Sequence, residues 1–565
     1  MFYQELFATL REKQLPKEKL VALKMQLAKR YHLSKVPTDI DLLLHAPVED
    51  VHYFTKILQT KPTRSISGVT PVAVMTKPYG CPHGRCTFCP GGLGSVFGDV
   101  PQSYTGKEPA TMRAMRAGYD PYLQVFNRLE QYIITGHVPQ KCDVIVMGGT
   151  FPSMPHDYCE YFIASVYKAM NDFSVLFFRE GIFNISVFKE FFFLPGDIHD
   201  EKRTRSVQER IKKYEKTSTV LQEEQKRNER ADIRCIGLTI ETKPDQGFGD
   251  VGKWLLRLGC TRVELGIQSV YDEPLAFTNR GHTVADSIRS IKELRDLGFK
   301  LNFHYMLGLP GVTKDREEDG LRELFTNPAY RPDMLKLYPC MVMPGTPLET
   351  QWKAGKYVPL STKEAAEQIA AFKPFIPEYC RIMRVQRDIP TYRTVSGVDR
   401  TNLRQYVEQV LGKKKLSCRC IRCREVGHQK KKYGKIPNES EIIVRQYEAS
   451  GGQEFFISAE DTKQDILLGF CRLRFPLQSL IEEITIKSAL IRELHIYGHA
   501  VGLGREGDIQ HKGLGKKLLT EAENIAIEHG KNKMVIISGI GVREYYQKHD
   551  YSQEGPYMIK MLHKN

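Results

Sequence analysis

Short apolar runs and amphipathic stretches alternate along the chain from about residue 68. Six runs read as strands: VTPVAVMT (69–76), DVIVMGG (143–149), CIGLTIET (235–242), RVELGIQS (262–269), LNFHYMLG (301–308) and MLKLYPC (334–340). Between most of them lie helical stretches, such as TVADSIRSIKELRDLG at 283–298. Strand–helix alternation predicts βαβ units and a parallel sheet. Several runs end in Gly, Glu, Gln or Thr, and ligands bind in the loops at the carboxyl ends of parallel strands.

Other stretches follow different rules. Residues 1–64 read as helical and basic, with apolar residues of LPKEKLVALKMQLAKRYHL at helical spacing and Lys and Arg on the other face. A nucleic-acid contact and an ordinary surface helix fit that pattern equally. Residues 173–234 break the rhythm: an aromatic-rich run is followed by a highly charged one, together read as a partly exposed insertion with no assignable chemistry. From 441 the runs EIIVRQYEA, EFFISAE, ILLGFCRLRF and ALIRELHIYG predict an antiparallel meander. A helix (GLGKKLLTEAENIAIEHG), a strand (MVIISG), a short helix and a last strand complete a compact α+β domain. No apolar stretch reaches 18 residues, so a transmembrane enzyme is not expected. The expected fold is α/β, an incomplete parallel (β/α)6 barrel plus this α+β domain. The expected divisions are 1–64, 65–395, 396–440 and 441–565.

Composition changes the picture in two places. The 565 residues are 41% hydrophobic and 26% charged, which excludes wholesale disorder. Lys and Arg number 82 against 67 Asp and Glu, a formal charge of +15. That surplus points to a polyanionic partner, nucleic acid or an anionic surface. Residues 404–435 hold eleven basic and two acidic residues, a local +9, with Cys418, Cys420 and Cys423 among them. Flexible linkers rarely need thiolates, and a metal would order this segment. Thirteen cysteines are too sparse for a disulfide scaffold, and the N-terminus MFYQELFATLREKQ has no signal-peptide pattern, so reduced thiols and a cytoplasmic location are expected.

Cys81, Cys86 and Cys89 lie in PYGCPHGRCTFCPGG, directly after the first predicted strand. Three thiolates on one loop can hold a metal or a cluster. On a [4Fe-4S] cluster they leave one iron open, able to chelate S-adenosylmethionine and reduce its sulfonium. The second strand ends in Gly148-Gly149-Thr150, where glycines let the backbone approach a ligand amino group. Together these features resemble the radical S-adenosylmethionine superfamily, over roughly residues 66–395. The x4 spacing between the first two cysteines departs from its commonest x3. A structural zinc site completed by His83 would leave the barrel unexplained.

QHKGLG, from Gln510 to Gly515, opens a helix after a strand and fits Q/R-x-x-G-x-G/A, where backbone N–H groups hold a pyrophosphate. With RELHIYG before it and MVIISG and Tyr545-Tyr546 after it, the order resembles the GNAT acetyltransferase domain and acetyl-CoA binding. His495 and Tyr546 fit core packing equally well.

The pairing of these two domains resembles the Elongator catalytic subunit family, the tRNA wobble-uridine acetyltransferases. TKPYGCPHGRCTFCPGG, QSYTGKEPATMRAMRAGYDPY, VIVMGGTF, GLTIETKPD, RVELGIQS, RVQRDIP, RELHIYG and VREYYQKHDY carry the resemblance over nearly the whole chain. It implies that a radical formed from adenosylmethionine abstracts hydrogen from the acetyl methyl of acetyl-CoA. The carbon radical then attacks carbon 5 of the wobble uridine, and thioester hydrolysis leaves a carboxymethyl group. It implies Cys81, Cys86 and Cys89 as cluster ligands, with Gly148, Gly149, Thr150, Glu241 and Gln268 around adenosylmethionine. It places Lys141, Glu493, Leu494, His495, Ile496, Gln510, Gly513, Leu514, Gly515, Lys516 and Tyr546 around acetyl-CoA. Lys141, Lys336, His495 and Tyr546 are the catalytic candidates, Lys336 as a residue of the barrel lumen or else a surface ion pair. Cys418, Cys420 and Cys423 resemble a structural zinc site whose fourth ligand is His428 or Cys380. The implied partners are acetyl-CoA and a tRNA anticodon loop, whose bases can be splayed into a pocket. Room is left for accessory subunits. Residues 173–234 and QGFGD after ETKPD depart from the family pattern. A protein lysine acetyltransferase using only 441–565 is the alternative; it leaves the thiol loop and the +9 segment without a role.

Overall fold

Residues 1–13, 15–60, 66–198, 200–215, 219–498 and 513–563 are described by a computed structural model. Gln510 falls outside them. No helix among the described residues is long and apolar enough to cross a membrane.

The N-terminal helices Phe2–Glu12, Lys17–Arg30, Asp39–His45 and Val51–Leu58 bury a small core of their own, including Leu6, Leu10, Leu20, Leu27, Phe54 and Leu58. Thr38 and Asp41 form a capping box that fixes the start of the third helix. Lys24 is turned inward and meets Asp39 at 2.7 Å, so this lysine serves the bundle rather than its basic face.

Seven strands then form one parallel sheet: β1 (Thr70–Met75), β2 (Lys141–Met147), β3 (Arg234–Thr242), β4 (Arg262–Gln268), β5 (Lys300–Leu307), β6 (Met334–Pro339) and β7 (Arg381–Arg384). The first six coincide with the expected runs to within two residues. Their spatial order is their chain order, and among the described residues β1 and β7 do not pair, so the sheet curls without closing. The seventh strand escapes a hydropathy reading because its sequence is RIMR. Its arginines enter the barrel wall only because Arg381 meets Glu425 and Arg384 meets Asp388.

The 173–234 segment is partly exposed, and its aromatic run is largely buried. Helix His156–Phe177 ends in a pile of buried rings, Phe173, Phe177, Phe178, Phe188, Phe191 and Phe192. Edge and tilted contacts join them, as at 4.6 Å between Phe173 and Phe177. The charged part forms helix Glu201–Tyr214, which buries Val207 and Ile211.

The C-terminal sheet comprises β8 (Glu441–Ala449), β9 (Gly452–Asp461), β10 (Ile466–Phe475), β11 (Ser488–Ile496), β12 (Lys533–Ile537), β13 (Ser552–Glu554) and β14 (Tyr557–Met561). β8 to β11 run antiparallel, whereas β11 and β12 run parallel and pair only from Ser488–Lys533 to Ile491–Ile536. Beyond Ile491 the ladder stops, while β11 continues through Arg492–Ile496.

This domain packs on the amino-terminal ends of the barrel strands, and the two share one hydrophobic core. The seam also holds buried charge. Arg492 donates twice to Asp333 at 2.7 Å and twice to Glu454, at 2.9 and 3.3 Å. Arg472 donates to Glu493 at 2.9 Å, and Arg474 to Asp296 at 2.6 Å and to Glu454 at 3.0 Å. Asp333 and Asp296 come from the barrel, and the arginines from β10 and β11.

Candidate active sites at the two ends of the barrel

At the carboxyl ends of the strands an open cavity of about 1040 Å³ is lined by the thiol loop, Gly149, Thr150, Glu241, Glu264, Gln268, His304 and Lys336. The loop leaves β1 and returns past Gln102 and Ser103. Each sulfur has a polar partner. Cys81 Sγ lies 3.5 Å from Thr150 Oγ1. Cys86 Sγ lies 3.2 Å from His83 Nε2 and accepts from Arg280 at 3.3 Å. Cys89 Sγ accepts from Gln102 at 3.1 Å and lies 3.3 Å from Ser103 Oγ. Polar groups aimed at three clustered sulfurs suit thiolates bound to an iron–sulfur cluster. Gly148 and Gly149 hold φ of 128° and 108°. A Cβ on Gly148 would fall 2.2 Å from Thr76 Oγ1, so only glycine lets β2 pass here.

Below the loop lies a cluster in which Glu241 and Lys336 were expected from the sequence and Glu264 and His304 were not. Lys336 Nζ sits against Glu264 and 3.7 Å from Glu241. His304 Nε2 is 2.8 Å from Glu264, and Asn302 donates to the same carboxylate at 3.0 Å. Glu241, Glu264 and His304 converge as metal ligands can, but the Lys336 ammonium already supplies the positive charge. Burial opposes ionisation of Glu264, yet Lys336 and His304 outweigh it and hold its carboxyl well below the usual range. Glu241 receives less help: burial pushes it up to about 7, with Lys336 only partly offsetting. Burial takes His304 down to about 4, with the Lys336 charge adding to the effect. Lys336 is therefore a lumen residue rather than a surface ion pair. The clue to Glu264 was in RVELGIQS, where alternate residues Arg262 and Glu264 are polar in a wholly buried strand. A register shift before Gln268, whose φ is 63°, turns that side chain toward the mouth.

The opposite end of the barrel meets the C-terminal domain. His495 Nε2 lies 3.1 Å from the Ser67 carbonyl, just ahead of β1. Burial lowers the pKa of His495, so the ring is neutral. Glu493 is tied to Arg472, and Leu494 and Ile496 pair with Cys471 and Gly469 of β10. Gly513 takes a left-handed φ of 77° at the start of helix Leu514–Glu528. Gly515 packs under the Tyr545 ring, where a Cβ would sit 2.8 Å from its hydroxyl. Lys516 is exposed. Tyr546 is 5% exposed and packs edge-on against Tyr545 and Tyr551. Lys141 pairs in register with Arg234, which donates to Glu544 at 2.8 Å, two residues from Tyr546. Burial lowers Lys141 to about 8. The seam thus brings Lys141 beside the elements that carry His495 and Tyr546. A helix N-terminus beside β11, where its ladder with β12 has stopped, suits the pyrophosphate of acetyl-CoA.

Comparison with known proteins agrees with this arrangement. Residues 1–66 match the ELP3 N-terminal domain, 75–324 the Radical SAM superfamily, 332–413 the Radical_SAM C-terminal domain and 426–551 the Acetyltransferase (GNAT) family. A tRNA uridine(34) acetyltransferase of Methanocaldococcus infernus is 44% identical over 97% of this chain and 96% of its own. Elongator complex protein 3 of Mus musculus is 39% identical over 96% of this chain and 92% of its own. The chain belongs to the Elongator complex protein 3 family. A solved archaeal Methanocaldococcus infernus Elp3 with an N-terminus deletion superposes with a TM-score of 0.72 at 39% identity, covering 88% of this chain and all of that one. The barrel is accordingly a radical S-adenosylmethionine domain, and the C-terminal domain is a GNAT acetyltransferase domain.

The second thiol group lies between them. The sulfurs of Cys418, Cys420 and Cys423 all lie within 4.8 Å of one another, close enough to share one ion. Neither proposed fourth ligand joins them: His428 Nε2 is 3.0 Å from Glu425, and Cys380 is outside the group. Lys373, buried, points its ammonium at Cys423 Sγ from 3.8 Å. The surrounding charge is more internal than the +9 count implied. Arg424 is buried on Glu460 and Asp465, Arg419 meets Glu378 and Asp465, and Lys432 meets Glu408. Burial lowers Arg422 to about 10. Lys413, Lys414, Lys415, Lys430 and Lys431 remain exposed.

Proposed function

We infer that this chain modifies uridine 34 of tRNA, installing a carboxymethyl group on carbon 5 with acetyl-CoA as donor. One observation carries the reading. A polar-lined thiol loop over a cavity and a GNAT domain are fixed to opposite ends of one barrel, in a chain 44% identical to a protein named tRNA uridine(34) acetyltransferase. A cluster held by Cys81, Cys86 and Cys89, with adenosylmethionine, supplies hydrogen abstraction from an unactivated carbon.

The chain's own residues do the rest. Gly148, Gly149, Thr150 and Gln268 line the place for adenosylmethionine. In the cavity, Lys336 offers N–H groups to the carbonyl oxygens of a splayed uracil. Neutral His304 stays bonded to Glu264, which keeps Lys336 charged and in place. Glu241, titrating near neutrality and 3.4 Å from the Tyr104 hydroxyl, is the group able to exchange a proton with substrate. On the donor side Gly513, Leu514, Gly515 and Lys516 face the pyrophosphate, while Glu493 to Ile496, His495, Tyr546 and Lys141 frame the thioester. Zinc on Cys418, Cys420 and Cys423 would anchor the exposed lysines of that segment against tRNA phosphates. A cytoplasmic setting and accessory subunits fit a tRNA substrate.

The test is direct. Reconstitute the cluster anaerobically, add adenosylmethionine, acetyl-CoA and tRNA, and analyse nucleosides by mass spectrometry. Carboxymethyl uridine at position 34, lost in Cys86→Ala, is expected. Acetyl-lysine on protein with unmodified tRNA would overturn the reading in favour of a lysine acetyltransferase.

A further inference from the structure

The most deeply buried arginines of this chain, Arg295, Arg424, Arg472, Arg474 and Arg492, each lie within ion-pair distance of a carboxylate. Arg280, at the barrel mouth, is different. It is 7% exposed, and among the described residues no carboxylate lies within ion-pair distance of it. Its Nη2 donates to the Gly266 carbonyl at 2.9 Å, Nη1 donates to Cys86 Sγ at 3.3 Å, and Nε is buried without a partner. The neighbouring cation Lys243 has its own partner, Asp245 at 3.3 Å. A buried guanidinium is retained only where an anion compensates it. The group that Arg280 faces is the sulfur of Cys86, which is anionic when it ligates a cluster. The Gly266 carbonyl, at the end of β4, fixes the fork so that Nη1 faces that sulfur.

We propose that Arg280 sets the reduction potential of the iron–sulfur cluster held by Cys81, Cys86 and Cys89. The inference rests on the assignment of those cysteines made above. Reduction adds one electron, delivered by an external low-potential one-electron donor, and makes the cluster more negative. A fixed positive charge donating to one ligand sulfur favours that state and raises the potential.

The experiment is a potentiometric titration with dithionite, followed by electron paramagnetic resonance, on the full chain reconstituted anaerobically without adenosylmethionine. Iron and sulfide are counted in parallel. In Arg280→Gln the cluster should be retained and its reduction constant should fall about tenfold, a shift of about 59 mV to more negative potential. Arg280→Lys, which keeps the charge, should shift less. An unchanged potential in Arg280→Gln overturns the proposal. So does loss of iron from Arg280→Gln, which would make the arginine a requirement for assembly. A shift that appears only when adenosylmethionine is added also overturns it, assigning Arg280 to the carboxylate of that ligand. Failure of the unmutated chain to hold iron would instead sink the reading of the cysteines themselves.

Discussion

Buried charge is handled differently at the seam between the domains and at the barrel mouth. At the seam, Arg295, Arg472, Arg474 and Arg492 face Asp296, Asp333, Glu454 and Glu493, four against four, in one continuous network. At the mouth, Arg280 has only a sulfur and a carbonyl, and Glu241 shares Lys336 with a better-placed Glu264. The seam is neutral and closed, as a structural ion network must be if desolvation is not to outweigh attraction. The mouth is left uncompensated where ligands are to arrive, and groups with shifted pKa values collect there. About 23 Å of strand, seven residues at roughly 3.3 Å each, separates Lys141 from the glycines after β2. The barrel therefore holds the C-terminal domain and the thiol loop apart as a rigid spacer.

The contrast can be broken by substitution. Cys86→Ala should abolish carboxymethyl uridine formation while leaving the unfolding midpoint near that of the unmutated chain; a large loss of stability would show the mouth to be structural. Asp333→Ala should do the reverse. It strips Arg492 and Arg472 of one carboxylate each, leaving Glu454 and Glu493, and should cost about 3–5 kcal/mol in chemical denaturation, and a cost under ~1 kcal/mol would end the description of the seam as a balanced network. Lys336→Met should leave the chain folded and lower turnover by about 10²-fold through lost substrate positioning, measured under saturating tRNA.

Two smaller effects sharpen the picture. Burial raises Glu241 to about 7, so its carboxyl is protonated below that pH and ionised above it. The pH–rate profile should bend near 7, and the bend should vanish in Glu241→Gln. Replacing Lys413, Lys414 and Lys415 with Gln should weaken tRNA binding only modestly. The slope of log affinity against log salt should flatten by roughly 0.7–0.9 for each lysine that meets a phosphate. An unchanged slope would move the tRNA surface elsewhere.

Much of this was legible in one dimension. Strand–helix alternation located six barrel strands, and cysteine spacing with a glycine pair located the thiol loop, because both are local patterns. β7 was not legible. RIMR is a polar string until Glu425, from the linker, and Asp388, four residues beyond Arg384, neutralise its arginines. The charged linker misled in the opposite direction. Arg424 read as surface charge, yet it is buried on carboxylates more than thirty residues away, Glu460 and Asp465. The aromatic run after 173 looked like part of a partly exposed insertion because its rings are adjacent in sequence, whereas the chain folds back to stack them inside.

The sequence by itself determined most of the elements, the order of the two domains, the cysteine loop and the glycine pair that lies beside it. Each of those depends on residues close together in the chain. Tertiary structure decided which charges are glue and which are chemistry. Lys336 became a lumen cation and Arg280 a donor to sulfur through partners fixed only when the sheet curls, and Lys24 a bundle contact through Asp39 of the next helix. The physical reason is that a charge takes its meaning from its solvation and its nearest counter-charge, and both are properties of the folded interior.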